Sequence, residues 1–196
     1  MTVNDEALMR AVRAGDLGKL GPLFDRYHGA LFDFLNRMTG RRDVAEDLVQ
    51  EVFLRILKYR ATYRDEARFE TWVFRIARNA RADYFMKRDT VEPLSQEALD
   101  SPDEAPGPDG ELEQQRDSAL LRRALMSLRE DRRELIVLAR YRGMKHEAIA
   151  ELLGVDTGTV KVRIHRALNE LRDLFLRMAQ RPSCDVKTSR RSLSTI

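Results

Sequence analysis

The pattern with the most chemical content lies between residues 145 and 169. A short apolar stretch ends at Gly154, and a second helical stretch follows Asp156 or Thr157, either of which can cap a helix. At about 100° per residue, one face of the second stretch carries small and polar groups flanked by cations. This face presents Gly158, Lys161, Val162, His165 and Asn169, and Arg163 and Arg166 flank it. The candidate DNA contacts are Thr157, Gly158, Thr159, Lys161, Val162, Arg163, His165 and Arg166. Such side chains can contact phosphates and base edges, so the pattern favours a DNA-binding helix-turn-helix over a basic surface helix of an ordinary bundle.

A second set of residues mixes cations with aromatic rings between positions 59 and 88. Proteins hold single-stranded nucleic acid in this way, because cations follow the phosphates while rings stack on bases at about 1–3 kcal/mol each. The set comprises Tyr59, Tyr63, Arg64, Arg75, Arg78, Asn79, Arg81 and Arg88. The side chains of Arg75, Arg78, Asn79, Arg81 and Arg88 are predicted to be at least partly exposed.

Four aromatic residues of the same region divide into two groups. Phe69 and Trp72 follow the apolar spacing of a helix and are predicted to be core residues. Phe74 lies off that apolar stripe, and for its ring, as for that of Tyr63, the core interpretation need not hold, which leaves stacking on bases open.

A third set of residues is acidic and follows Asp43. Glu46, Asp47, Gln50 and Glu51 share the polar face of one predicted helix. Acids in the first turns of a helix interact favourably with its dipole, at about 0.3–1 kcal/mol each. The same face could instead dock on a basic protein surface, and the residues alone leave both interpretations open.

Helical spacing predicts the elements that position these groups. Helices are expected over 23–38, from Asp43 with an Asp43–Glu46 capping box, over 69–87, from Glu111 onward, over 130–141, and on both sides of Gly154. Gly40 is the expected stop of the first, and Gly18, Gly21 and Pro22 weaken any helix before residue 23. No segment alternates with a period of two, so the predicted fold class is all-α.

Charge divides the chain into blocks. Lys and Arg number 35 against 32 Asp and Glu, yet residues 89–115 hold nine acids, no base and four of the six prolines. This segment cannot bury enough apolar surface to repay its ordering entropy. We therefore predict two small helical domains, 1–88 and 116–181, joined by an acidic flexible linker at 89–115 and followed by a flexible tail at 182–196.

Composition also excludes several classes of function. One cysteine, Cys184, cannot form an internal disulfide, and three scattered histidines do not complete a zinc site, so no cofactor is expected. No apolar run reaches the roughly 18–20 residues of a membrane span, and the amino terminus lacks a signal sequence. We expect a cytoplasmic protein without membrane contact of its own. It has no nucleophile–base pair or phosphate loop, and is not expected to be an enzyme.

Two motifs carry a family resemblance. DVAEDLVQEVF from Asp43 and FETWVFRIARN from Phe69 resemble domain 2 of the extracytoplasmic-function (ECF, group IV) sigma factors of the sigma-70 family. EAIA from Glu147 with LG at 153–154 and GTVK from Gly158 resemble their domain 4, a helix-turn-helix. The resemblance covers about residues 6–88 and 116–175, in the family's order.

The resemblance implies an initiation subunit of bacterial RNA polymerase. Asp47, Gln50 and Glu51 would bind the β′ clamp helices of the polymerase core, which favours the docking interpretation of the acidic face. The loop 59–68 and helix 69–88 would recognise and melt the −10 promoter element. Domain 4 would place its second helix in the −35 major groove and touch the β flap. Most family members are held inactive by an anti-sigma factor, so one is expected here.

Some residues depart from the family pattern, and two other interpretations remain. Val162 and His165 differ from the residues common at those positions, so no −35 preference can be transferred. A conventional helix-turn-helix regulator acting without core polymerase is one alternative, and the acidic face argues against it. A protein whose domain 4 serves as an anti-sigma decoy is the other, and the cations at 161, 163 and 166 argue against that.

Overall fold

The computed structural model describes residues 4–64, 66–89 and 111–180. Within these ranges the regular structure is helical and no strand occurs. The eight α-helices are α1 (Asp5–Arg13), α2 (Leu20–Thr39), α3 (Arg42–Tyr59), α4 (Phe69–Asp89), α5 (Glu111–Ser127), α6 (Glu130–Ile136), α7 (His146–Leu153) and α8 (Thr157–Ala179). Single 3₁₀ turns occur at Leu17–Lys19 and Arg60–Thr62. Residues 90–110 of the predicted linker and the whole predicted tail lie outside the described residues, whereas 111–115 are helical.

The amino-terminal bundle packs α1–α4 around large apolar side chains. Leu31, Phe34, Val52 and Phe74 are fully buried where α2, α3 and α4 meet. The rings of Phe34 and Phe74 meet edge to face at 5.3 Å, a favoured aromatic geometry. These contacts fix α4 against α3, and thereby fix the basic residues of α4 relative to the acidic residues of α3.

Helix α1 is not among the helices predicted from the hydrophobic spacing. Asn4 caps it by accepting a hydrogen bond from the Ala7 amide at 2.7 Å, and its apolar face is buried. The Tyr27 hydroxyl donates to Asp5 at 2.6 Å. Burial, together with this carboxylate, raises the pKa of Tyr27 far above its usual range. The capping residue and the apolar spacing were both readable from the sequence.

Three predicted helix ends can be compared with the structure. Gly40 ends α2 in the left-handed conformation at φ 71°, as predicted. The prediction that α2 starts no earlier than residue 23 is wrong, because Pro22 occupies the first turn, where a backbone N–H has no helical partner. The predicted capping box at Asp43 is also wrong. The helix begins at Arg42, and Asp43 pairs with Arg41 at 2.5 Å, which lowers the pKa of the Asp43 carboxyl.

The carboxyl-terminal bundle packs α5, α6 and α7 against the long helix α8. Between α6 and α7, Val137–Tyr141 form a π-helical turn, in which the Arg142 amide donates to the Val137 carbonyl at 3.0 Å. This wider turn replaces the end of the single helix predicted over 130–141.

The two bundles are in contact. Arg133 of α6 is half-buried and donates to the Met38 carbonyl of α2 at 2.8 Å. It also donates to the Met126 and Leu128 carbonyls, at the carboxyl end of α5 and just after it, at 2.7 and 3.0 Å. Burial lowers the pKa of this guanidinium. The Tyr141 ring lies 3.8 Å from the Arg37 guanidinium, a cation–π contact. One guanidinium thus ties together the carboxyl ends of α2 and α5.

No helix in the described ranges is long and apolar enough to cross a membrane.

Candidate functional site

The helix-turn-helix is formed by α7, the turn at 154–156 and α8. Gly154 ends α7 at φ 67°, a conformation that other L-residues rarely adopt. Asp156 is the cap of α8, since its carboxylate accepts from the Thr159 amide at 2.8 Å. Hydrogen bonds from the Thr159 side chain and amide lower the pKa of Asp156. The sequence left Asp156 and Thr157 as alternatives, and the structure selects Asp156.

Helix α8 separates its inner and outer faces as its spacing predicts. Val160, Ile164 and Ala167 are buried against the rest of the bundle. Six predicted DNA-contacting residues are exposed, and Thr157 and Thr159 are half-buried. The exposed six are Gly158, Lys161, Val162, Arg163, His165 and Arg166. The helix therefore offers a small residue, three cations and a half-exposed valine on its outward side.

The basic residues of α4 are less uniform than predicted. Arg75 and Asn79 are exposed, and Arg78 is partly buried. Arg81 is only 6% exposed, so the prediction of an exposed side chain at this position is wrong. Its guanidinium pairs with Glu130 of α6, and this contact with the second bundle removes it from solvent. Arg88 belongs to α4, but its side chain lies outside the described part of the chain.

The aromatic residues near α4 also divide. Tyr59 is 42% exposed, and Arg64 in the following loop is exposed. Tyr63 and Phe74 are 1% and 0% exposed, so neither ring is available for stacking, and the placement of Tyr63 among the predicted −10 contacts is wrong. The Tyr63 hydroxyl donates to the Ala67 carbonyl at 2.7 Å and thereby closes the loop before α4.

Phe74 is buried although it lies off the apolar stripe of α4, because other elements cover that helix on two sides. One side of the ring meets Phe34 of α2, and the Arg142 guanidinium of the second bundle is 5.5 Å from its centre. As predicted, Phe69 is buried, whereas Trp72 is only partly so.

Asp47 and Gln50 are exposed on the acidic face of α3. Glu51 is half-exposed, and its carboxylate accepts from Arg55 at 2.5 Å. The same Arg55 donates to Asp83 of α4 at 2.7 Å, so α3 and α4 share one cation. The Arg55 side chain is largely buried, which ties Glu51 to the packing of the bundle.

Apolar residues beside this acidic face were not predicted from the sequence. Leu54 is 61% exposed and continues the row of Asp47 and Gln50 along α3 at helical spacing. The Phe24 ring is exposed on α2, 4.8 Å from Phe53 of α3. Leu54 falls outside the apolar stripe of α3, and this break in periodicity was the available signal.

The carboxyl-terminal bundle covers much of the basic face of α4. Arg78 donates to Glu134 of α6 at 2.6 Å, beside the Arg81–Glu130 pair. Arg81 lowers the pKa of the Glu130 carboxyl through its hydrogen bond. Backbone carbonyls at the end of α7 accept from Arg75 and Arg78 at 3.4 and 3.5 Å. Helical periodicity carries no signal for these contacts, because they join helices far apart along the chain.

The described residues contain no cluster of three or more histidine, cysteine or acidic side chains suited to a metal ion. The geometry instead offers three surfaces: a cationic helix face, a basic helix beside an exposed tyrosine, and an acidic face flanked by apolar groups. Such surfaces bind nucleic acid and protein.

Comparison with known protein families matches both bundles. Residues 23–91 match the family model Sigma-70 region 2, and residues 118–171 match Sigma-70, region 4. The first region spans most of the amino-terminal bundle, including the acidic face and α4. The second spans most of the carboxyl-terminal bundle, including the helix-turn-helix.

Curated relatives and solved structures agree with this match. The chain is 33% identical over 180 residues to RNA polymerase sigma factor CarQ of Myxococcus xanthus, covering 85% of this chain and 95% of CarQ. It is 38% identical to ECF RNA polymerase sigma factor ShbA of Streptomyces griseus, covering 71% of this chain and 76% of ShbA. The structure of the sigma factor RpoE in complex with the anti-sigma factor NepR from Bartonella quintana superimposes with a TM-score of 0.63 at 26% identity, covering 80% of this chain and 96% of that one.

Proposed function

We propose how three surfaces of this chain, which belongs to the extracytoplasmic-function sigma factors of the sigma-70 family, contribute to transcription initiation. Such a factor binds the core of bacterial RNA polymerase and directs it to specific promoters. The observation that carries the proposal is that the exposed acidic residues and the exposed recognition face fall in two different matched regions, 23–91 and 118–171.

The acidic face of α3 is proposed as the surface that binds the β′ clamp helices. Asp47 and Gln50 are exposed and can meet a basic partner, and Leu54 adds an apolar contact beside them. Glu51 belongs to the same surface, with its carboxylate oriented by Arg55. A charged rim around an apolar centre gives an interface both orientation and affinity.

The loop before α4 and the outer side of α4 are proposed to hold the −10 element. Tyr59 offers a ring for stacking on an unpaired base, and Arg64, Arg75 and Asn79 are exposed nearby along the chain. Tyr63 acts here by holding the loop rather than by touching DNA. Arg78, Arg81 and Arg88 complete the proposed set, and the first two require the carboxyl-terminal bundle to move away.

The outward face of α8 is proposed to enter the major groove of the −35 element. Gly158 allows close approach at the helix start, and Lys161 and Arg166 are placed to reach phosphates or base edges. The apolar groove between α5 and α8, about 650 Å³ and lined by Leu121, Leu171 and Phe175, is a suitable surface for the β flap.

We further propose that an anti-sigma factor controls the chain, as NepR binds RpoE of Bartonella quintana. A factor of this kind acts on polymerase in the cytoplasm, needs no cofactor and makes no membrane contact of its own. It contributes binding and DNA opening rather than a catalytic residue.

The test is to mix the purified chain with purified core polymerase and to offer the complex a promoter library. Co-elution on a sizing column with selective transcripts is the expected result, and the transcripts supply the promoter sequence. Failure to bind core, combined with duplex binding by the chain alone, would instead indicate a conventional helix-turn-helix regulator.

Asn79→Ala is expected to impair promoter opening while leaving core binding intact. Asn79 is exposed on α4, so its loss removes hydrogen bonds to an unpaired base without disturbing the packed core. We expect a tenfold or larger fall in open-complex formation, about 1.4 kcal/mol, measured by permanganate reactivity of unpaired thymines. Ala82→Ser, an exposed change one turn further along α4, is the matched control. Equal loss of core binding in Asn79→Ala would argue against the proposed role.

A further inference from the structure

The basic face of α4 is paired with acids of the carboxyl-terminal bundle. Arg78 pairs with Glu134 at 2.6 Å, and Arg81 pairs with Glu130. In each pair one side chain is buried and its partner is more exposed: Arg81 at 7% pairs with Glu130 at 64%, and Glu134 at 9% pairs with Arg78 at 30%. The ion pairs therefore lie at the edge of the contact, where solvent reaches one partner of each. The end of α7 adds the Glu151 and Leu152 carbonyls, which accept from Arg75 and Arg78. All these acceptors are oxygens, the atoms that a phosphate backbone would offer.

The contact extends well beyond the two ion pairs. Arg133 reaches the Met38 carbonyl at the end of α2, and Tyr141 stacks on Arg37 of the same helix. Arg142 lies over the Phe74 ring at 5.5 Å. The two ion pairs and the contacts of Arg133, Tyr141 and Arg142 thus form one continuous contact between the bundles, which we call the seam. The closed arrangement is the one in which the seam is formed.

We infer that the carboxyl-terminal bundle and promoter DNA compete for the basic face of α4, with Glu130 and Glu134 occupying the places of DNA phosphates in the free chain. The inference rests on the proposed function, since it takes α4 as the helix that holds the −10 element. In the closed arrangement Arg78 and Arg81 are engaged, so the −10 element can bind fully only after the bundles separate.

The closed arrangement leaves the other surfaces open. Asp47 and Gln50 on α3 are exposed, and so are Lys161 and Arg166 on α8. Core polymerase can therefore dock on the closed chain before the seam opens. The seam therefore prevents binding of the −10 element to α4, but it does not prevent binding of core polymerase to α3.

The test neutralises the two acids while keeping their shape, in the double variant Glu130→Gln with Glu134→Gln. If the closed form makes up about nine-tenths or more of the free chain, its loss raises the apparent affinity for the −10 strand tenfold or more. The probe is a fluorescein-labelled single strand carrying the −10 region of a promoter found in the library. Binding is measured by anisotropy with the free full-length chain, and the radius of gyration by small-angle X-ray scattering without DNA.

Two further variants accompany this measurement. Glu147→Gln removes an exposed acid of α7 that lies outside the seam, and it should change neither readout. Tyr141→Ala breaks the stacking on Arg37 without altering any arginine of α4 or either glutamate. It should raise both the affinity and the radius of gyration, and it keeps the inference testable if the glutamine variant fails to fold.

The expected result is tighter strand binding and a larger radius for the seam variants, with holoenzyme binding to the promoter unchanged. Unchanged strand affinity and radius in folded variants, while the wild-type holoenzyme still transcribes, would overturn the inference alone. A wild-type holoenzyme that does not open promoters would instead overturn the proposed function. If the seam variants also kept the radius of gyration of the wild-type chain, the inference would be overturned as well.

Discussion

Asp47→Lys combined with Gln50→Lys should lower the affinity for core polymerase by about a hundredfold, roughly 2.7 kcal/mol. Both residues are exposed on α3, so the change reverses the charge of the proposed docking surface without entering the core. A basic partner surface would then face lysine, and like charges across an interface are unfavourable. The measurement is competition against a labelled reference factor for limiting core.

Glu51 is left unchanged in this variant for a structural reason. Its carboxylate receives Arg55, whose largely buried side chain also serves Asp83 of α4. Reversing Glu51 would leave that cation without one of its two partners, so lost binding could reflect lost packing. Asp33→Lys, at an exposed acid of α2, changes charge in the same domain and is the matched control. If both variants compete as well as the wild type, α3 is not the docking surface.

Lys161→Ala with Arg166→Ala should weaken promoter binding by the holoenzyme about a hundredfold at moderate salt, since two charge-assisted contacts contribute about 3 kcal/mol together. The diagnostic quantity is the salt dependence. Each phosphate contact adds about 0.9 to the slope of log affinity against log salt, so losing two should flatten that slope by about 1.8. The measurement is filter binding of a −35-dependent promoter across a salt series.

Arg123→Ala with Arg177→Ala is the control for this second variant. It removes the same charge from the same bundle, at exposed positions of α5 and of the carboxyl end of α8 that lie outside the groove proposed for the β flap. The control should keep the wild-type slope. A slope that stays constant when Lys161 and Arg166 are lost, or that falls equally in the control, would contradict groove docking by the start of α8.

Local rules predicted much of the helical architecture. Gly40 and Gly154 stop their helices where expected, and Val160, Ile164 and Ala167 are buried as the spacing of α8 requires. The two helix stops depend on residues within one turn, and the inner face of α8 follows from apolar spacing along that one helix, so the local sequence predicts both. The Asp43 cap was also a local prediction, and it fails because the helix begins one residue earlier, at Arg42, with Asp43 paired to Arg41.

The misplaced site residues share a different origin. Arg81 lies on a side of α4 that the second bundle covers through Glu130. Phe74 packs on Phe34 of α2 within its own bundle, and Arg142 of the second bundle lies over its ring. Their burial depends on groups brought from a distant part of the chain, which periodicity along one helix cannot report. The recognition face of α8 avoided this error because no other element covers it within the described residues.

The π-helical turn at Val137–Tyr141 sets the angular position of the residues at its carboxyl end. One residue corresponds to about 100° of rotation around a helix. A single-codon deletion within this turn would therefore rotate Tyr141 and Arg142 away from Arg37 and Phe74 by about that angle. The length of this turn thus decides whether the two bundles can form their contact, although it contains none of the residues proposed to bind the promoter.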